Sequence, residues 1–420
     1  MLNQARVLSG LLFGCALATA ASSAHTGDID KQEFKQIAYG RYLTIAGDCA
    51  ACHTLPGSGH DLAGGRVIET PFGNLLAPNI TPDPVTGIGA WTDQEFIDAM
   101  TEGTGRGGTH LYPAMPYTYY TKLTRDDVLA IRAYLNTVPA VQNRVRSNQL
   151  PFPFNIRAGM IGWDALFFTP GTFRPDGHKS AEWNRGAYLA EGLAHCGLCH
   201  TPKNFFGGDK SGERLRGYTL QGWFAADITN DPRRGLGGWS VDDIVSYLKS
   251  GHGRNTDGTG LMAEAIAESF SQMTNADLKA IATYLKDLPG SSATSESSPP
   301  IGADQPVMKI GEHIYADECA GCHGADGKGA GGPFPALAGS SIVQQNDPGS
   351  LIHVVLRGAR SVATDQAPNG SAMPQFAWLL NDDQVAAVVT YIRNAWGNAA
   401  PSVNADEIRK KRQALVERND

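Results

Sequence analysis

Six of the seven cysteines in this sequence fall into three pairs of one pattern: Cys49/Cys52, Cys196/Cys199 and Cys319/Cys322. Each pair has two intervening residues and is followed at once by a histidine: His53, His200 and His323. In an exported protein an even number of cysteines ordinarily reads as a disulfide framework, and one Cys-x-x-Cys as a redox disulfide or half a zinc site. A histidine directly after all three pairs points instead to three covalently attached haem c groups. Two thiols so spaced add across the two vinyl groups of one porphyrin, and the histidine after the second thiol is placed beneath the iron as proximal ligand. A zinc account would need further Cys or His to complete tetrahedral sites, and no cysteine outside the leader is left over.

The distal position decides what such an iron does. Methionine there favours electron transfer and raises the potential, whereas an open position admits a substrate. His53 to Met115 and His200 to Met262 each span 62 residues, and Met373 lies in an Ala-Met-Pro that echoes the Ala-Met-Pro at Met115. Met115, Met262 and Met373 are the expected distal ligands. Met273 occupies the place held by Leu123 and Leu380, and Met100 aligns with Leu248, so both read as packing residues. His110 and His252 are the rival ligands, but a lone histidine beside a loop is usually solvated or bonded to backbone. His60, His195, His313 and His353 are read the same way.

The elements that must position these groups repeat with them. Gly40-Arg-Tyr-Leu, Gly186-Ala-Tyr-Leu and Gly311-Glu-His-Ile precede the three motifs as N-terminal helices would. Downstream, residues 127–135, 277–285 and 384–392 read as amphipathic helices, with Tyr134, Tyr284 and Tyr391 at matching places and Thr or Asn with acidic residues as caps. Asn79-Ile-Thr-Pro-Asp before Trp91 is matched by Asp227-Ile-Thr-Asn-Asp before Trp239, which makes the first two units closer relatives of each other than of the third. The expected fold is mainly α: three tandem class I-like cytochrome c domains over residues 30–142, 181–290 and 305–398, each wrapped around its haem. Domains so small gain most of their apolar core from an enclosed porphyrin.

The remaining segments are bounded by composition. Arg6, an apolar run from Val7 to Ala18 and small residues through Ala24 read as an export signal, residues 1–24, with cleavage near Ala24. A membrane anchor and lipidation at Cys15 are the weaker readings of that stretch. Residues 143–180 form a connection rich in Pro and aromatics, too apolar for a free linker, expected to pack along the first two domains or to face a partner. Residues 291–304 read as a mobile Ser- and Pro-rich tether, and 399–420 as a charged tail with almost no apolar face. A net charge of −7 without a basic block argues against nucleic acid.

Gly47-Asp-Cys-Ala-Ala-Cys-His-Thr, Leu111-Tyr-Pro-Ala-Met-Pro-Tyr, Trp183-Asn-Arg-Gly-Ala-Tyr-Leu and Cys199-His-Thr-Pro-Lys-Asn, with the Asn79 stretch, give the chain its likeness. Across nearly all of its mature length it resembles the triheme cytochrome c subunits of bacterial membrane-associated alcohol, gluconate, sorbitol and fructose dehydrogenases. The resemblance implies a periplasmic protein at the outer face of the cytoplasmic membrane. A catalytic dehydrogenase subunit carrying flavin or pyrroloquinoline quinone would supply its electrons, and ubiquinone or another cytochrome or oxidase would take them. Some relatives carry an apolar C-terminal segment for the membrane, and the charged tail here departs from that. The rival functions are a haem enzyme such as a peroxidase, with one open iron, and a free-standing multihaem shuttle.

Overall fold

The computed structural model describes residues 23–253, 255–290, 299–330 and 334–416, with side chains from residue 31 onward. The expected leader as far as residue 22, Cys15 included, and residues 291–298 of the expected tether lie outside them. The described chain is mainly helical, built on one plan used three times. In the first unit α1 (Ser23–Ala46) turns into the short α2 (Cys49–His53), and α3 (Arg125–Leu135) closes back on α1. The second repeats this with α4 (Ala181–Tyr188), α5 (Cys196–His200) and α6 (Asn275–Asp287), and the third with α7 (Pro306–Glu318), α8 (Ala320–His323) and α9 (Asp382–Ile392). The closing helices start where their caps dictate, because Thr124, Thr274 and Asn381 accept from the backbone N–H three residues on.

The repeated glycine has a steric cause. A Cβ on Gly40, Gly186 or Gly311 would lie 1.8, 1.9 or 2.3 Å from the carbonyl oxygen of Ala130, Ala280 or Ala387, so only glycine lets the opening helix cross the closing one. The recurring tyrosines flank the same crossings through their Cβ atoms. Gly186→Ala is therefore expected to pry α4 from α6 and cost about 3 kcal/mol, the upper end for overpacking. Chemical denaturation monitored by circular dichroism checks this, and an unchanged midpoint would contradict the crossing.

Among the described residues four two-stranded antiparallel sheets supplement the helices, and the two longer ones are the hairpins of β1 (Val67–Thr70) with β2 (Gly73–Leu76) and of β3 (Arg216–Leu220) with β4 (Trp223–Asp227). Each leads into the shared middle motif. Asn79 Oδ1 accepts from Thr81 N and Oγ1 at 2.9 and 2.8 Å, and Asp227 Oδ1 accepts from Thr229 N and Oγ1 at 2.7 and 2.6 Å. These are turns in which a side-chain oxygen stands in for a backbone carbonyl.

The first two units share one hydrophobic core, in which Leu43, Leu123 and Ile131 meet Leu189, Leu193 and Ile281. They also exchange a reciprocal contact. Tyr42, two residues after Gly40, donates to Asp277 Oδ2 of α6 at 2.6 Å, while Tyr188, two residues after Gly186, donates to Asp127 of α3. The third unit has His313 and Gln384 at those places and takes no part. Burial opposes ionisation of Asp277, but Arg185 and the Tyr42 hydroxyl outweigh it and hold the carboxyl below the usual carboxylate range. A depressed carboxylate stabilises the fold above its unfolded pKa, and that contribution is lost as pH falls through the folded value. Asp277→Asn should cost on the order of 2 kcal/mol at neutral pH, with the difference from the parent shrinking below about pH 4. Denaturation midpoints across pH read this directly.

The third unit docks on the second. Phe224 N donates to Ser350 Oγ at 2.8 Å, Ser350 Oγ donates to Phe224 O at 3.0 Å, the Trp223 and His353 rings stack at 3.8 Å, and Val362 enters the shared core. The connection lies along the first unit and reaches the second: Gln149 exchanges backbone bonds with Asn74 at 2.8 and 3.1 Å, and Trp163 Nε1 donates to Phe206 O at 2.9 Å. The tail departs from its expected lack of an apolar face. Residues Ala405–Val416 form α10, which buries Ile408 and Leu415 completely or nearly so and gives Arg412 to Asp382 at 2.9 Å. Those two apolar residues stand seven apart, on one helix face, inside a run of charges.

Candidate functional site

The three Cys-x-x-Cys-His motifs occupy equivalent places, each on the short helix that follows an opening helix. In the first two, the residue before the first cysteine takes the left-handed conformation, Asp48 at φ 52° and His195 at φ 35°, which makes the tight corner into the motif. No disulfide joins the six cysteines. Burial pushes the thiols of Cys49 and Cys52 up to about 12 and those of Cys196, Cys199 and Cys319 up to about 11.

Each histidine is held the same way. His53 Nδ1–H donates to Pro78 O at 2.7 Å, His200 Nδ1–H to Ala226 O at 2.6 Å and His323 Nδ1–H to Pro335 O at 3.0 Å. A carbonyl can only accept, so Nδ1 carries the proton and the Nε2 lone pair is left to ligate. Burial lowers the pKa of His53 and His200, which keeps those imidazoles neutral. The carbonyls of Pro78 and Ala226 stand immediately before Asn79 and Asp227, so the two side-chain turns fix the very atoms that orient the histidines.

A continuous, mostly apolar cavity of about 1500 Å³ opens beside the motifs. Cys52, both cysteines and the histidine of the second and third motifs, Met262 and Met373 line it. That volume exceeds the roughly 300–1,000 Å³ of a pocket for one small ligand. Paired thiols, an imidazole held through Nδ1 with its Nε2 free and an apolar hollow beside them are the donor set a covalently attached haem requires. The residues fit the group.

A cytochrome c family profile matches residues 37–139 and 308–396, the first and third units. The chain is 37% identical over 405 residues to the fructose dehydrogenase cytochrome subunit of Gluconobacter japonicus, covering 90% of this chain and 82% of that one. It is 36% identical to the gluconate 2-dehydrogenase cytochrome c subunit of Pantoea cypripedii, covering 89% of each. To the cytochrome c subunit of the alcohol dehydrogenase (quinone) of Gluconacetobacter polyoxogenes it is 36% identical, over 98% of this chain and 91% of the other. The chain belongs to the dehydrogenase cytochrome c subunits.

Within this family of subunits the side chains competing for roles at the sites sort by environment. Met115, Met262 and Met373 are part-buried beside the cores, whereas Met100 and Met273 are packed within the first, at 6% and 1% exposure. Met115 and His53 do not line the large cavity. His252 Nδ1 lies 3.1 Å from Asp257 Oδ1, and His195 Nε2 3.3 Å from Gly47 O. His353 Nδ1 lies 3.2 Å from Gly222 O, His60 and His313 are exposed, and His110 Nδ1 lies 3.7 Å from Asp164 Oδ2.

One contact escaped sequence reasoning. Arg66 donates to the Ala51 carbonyl inside the first motif and pairs through both terminal nitrogens with Glu264, two residues after Met262. It ties the first motif to the helix Gly260–Glu268 of the second unit. Nothing local marks Arg66 or Glu264, because the pair spans 198 residues.

Proposed function

We propose that this chain is a triheme electron-transfer subunit with no substrate chemistry of its own. The observation that carries the reading is the thrice-repeated Cys-x-x-Cys-His whose histidine gives Nδ1–H to a backbone carbonyl. Cys49/Cys52, Cys196/Cys199 and Cys319/Cys322 hold the three haems, His53, His200 and His323 are the proximal ligands, and Met115, Met262 and Met373 are the distal ones. When bound, the group supplies one-electron exchange at an iron whose potential follows axial ligand, burial and nearby charge. The chain does the rest: the backbone carbonyls fix the imidazole tautomers, the apolar walls exclude water, and the shared core and docked third unit hold the sites in one body.

The relatives' names support a catalytic dehydrogenase subunit as donor, and flavin or pyrroloquinoline quinone is the cofactor proposed for it. Ubiquinone or another cytochrome or oxidase is the acceptor. The place is the periplasm, at the outer face of the cytoplasmic membrane and peripherally bound to it; no described helix is long and apolar enough to cross a membrane. Visible spectra of the native protein with a pyridine haemochrome count and a carbon monoxide challenge test this. Three low-spin haems per chain, none binding carbon monoxide, is the expected result. A high-spin, carbon monoxide-binding haem would replace it with the haem-enzyme reading. Purification from its native membranes without a dehydrogenase would favour a free-standing shuttle.

A further inference from the structure

The connection between the first two units presents a surface unlike the rest of the molecule. Over residues 151–170 every exposed side chain is apolar except Asn155 and Thr169. The only ionisable residues in that stretch turn inward: Arg157 donates to His110 O at 2.8 Å and lies over the Tyr112 ring, and Asp164 accepts from the Tyr117 hydroxyl at 2.6 Å. In the helix Gly159–Phe167, Met160, Trp163, Leu166 and Phe167 border the large cavity, whereas Ile161 does not and is 57% exposed. Phe152, also outside the cavity lining, is 78% exposed. A loop of the second unit extends the patch, with Phe205 88% exposed and Phe206 stacked on Phe167. Contiguous exposure of this kind marks a face that meets something other than water.

Charge identifies the neighbour. In a chain of net charge −7, residues 143–180 carry five Lys and Arg against two Asp, and Arg144, Arg146 and Arg174 are exposed on either side of the apolar stretch. A protein-binding face of ordinary composition mixes charges of both signs and hydrogen-bonding groups around its rim. Apolar and aromatic side chains without exposed charge, flanked by basic residues, instead match the acyl boundary of a bilayer beneath anionic headgroups. We propose that this surface lays the protein on an anionic lipid bilayer, with Phe152, Ile161 and Phe205 entering the interface and Arg144, Arg146 and Arg174 meeting lipid phosphates. The inference rests on the peripheral membrane association proposed above and names the face responsible.

The test is sedimentation of the mature holoprotein with large vesicles, either phosphatidylethanolamine with phosphatidylglycerol or phosphatidylcholine alone. The parent should bind the anionic vesicles in preference. The triple variant Phe152→Ser, Ile161→Gln, Phe205→Ser should bind at least about tenfold less, with haem count and visible spectrum unchanged to show that it folds. Arg144→Gln with Arg146→Gln should lose only the preference for anionic lipid. A triple variant that binds like the parent would overturn the assigned face while leaving peripheral association standing. A parent that binds neither vesicle would remove both. If the parent ignores vesicles and the triple variant loses a copurifying dehydrogenase subunit, the patch is a protein interface and the proposal fails.

Discussion

Replacing Cys196 and Cys199 together by serine is expected to lower the haem content from three per chain to two and to collapse the stability of the first two units. The second motif lines the large cavity, and its opening and closing helices share a core with the first unit. Unfilled apolar cavity costs about 24 cal/mol per Å³, so even about 200 Å³ left empty costs on the order of 5 kcal/mol. That approaches the whole stability of an ordinary domain. The same exchange at Cys319 and Cys322 should also remove one haem, but the third unit has its own core and the first two should survive. The pyridine haemochrome ratio and limited proteolysis separate these outcomes. His200→Ala provides the control for ligation, since it leaves both thiols and should yield three attached haems, one of them with altered spin state. A ratio of three in the serine double variant would mean that the second motif holds no haem.

Much of this site was legible because its signals are local. A Cys-x-x-Cys-His needs no tertiary knowledge, and Gly40, Gly186 and Gly311 stood out through spacing alone. Their cause, a helix crossing against a backbone carbonyl, belongs to the packed structure. The Asn79 and Asp227 motifs were visible as repeats, yet their function is to fix the carbonyl one residue earlier, which becomes evident only when His53 and His200 are seen to donate to it. The reciprocal pairs Tyr42–Asp277 and Tyr188–Asp127 also join residues that a repeat alignment puts in register within each unit, whereas the contacts run between units. The tail misled because charge dominates its composition while two apolar residues suffice to dock it. Composition between the units likewise carries no sign of the Ser350, Trp223 and Val362 contacts that hold the third unit on the second.

The distal ligands are where sequence and structure leave the sharpest experiment. Met115→Ala, Met262→Ala and Met373→Ala are each expected to abolish about one third of the near-infrared methionine-to-iron band, open one haem to carbon monoxide and lower its potential by a few tenths of a volt, within the roughly 0.8 V that axial ligation spans. Met100→Leu and Met273→Leu should change none of these, because both residues pack in the core and a volume-conserving exchange there costs less than about 1.5 kcal/mol. His110 and His252 are the direct competitors. His252 Nδ1 has Asp257 Oδ1 at 3.1 Å as a partner other than iron, His110 Nδ1 is buried 3.7 Å from Asp164 Oδ2 without a hydrogen bond, and neither residue lines the large cavity. His110→Gln and His252→Gln should therefore leave the band intact. If His252→Gln opened a haem and Met262→Ala did not, the second site would be bis-histidine. Its lower potential would then make it an unfavourable relay between two methionine-ligated sites and a better point of entry from a reducing partner.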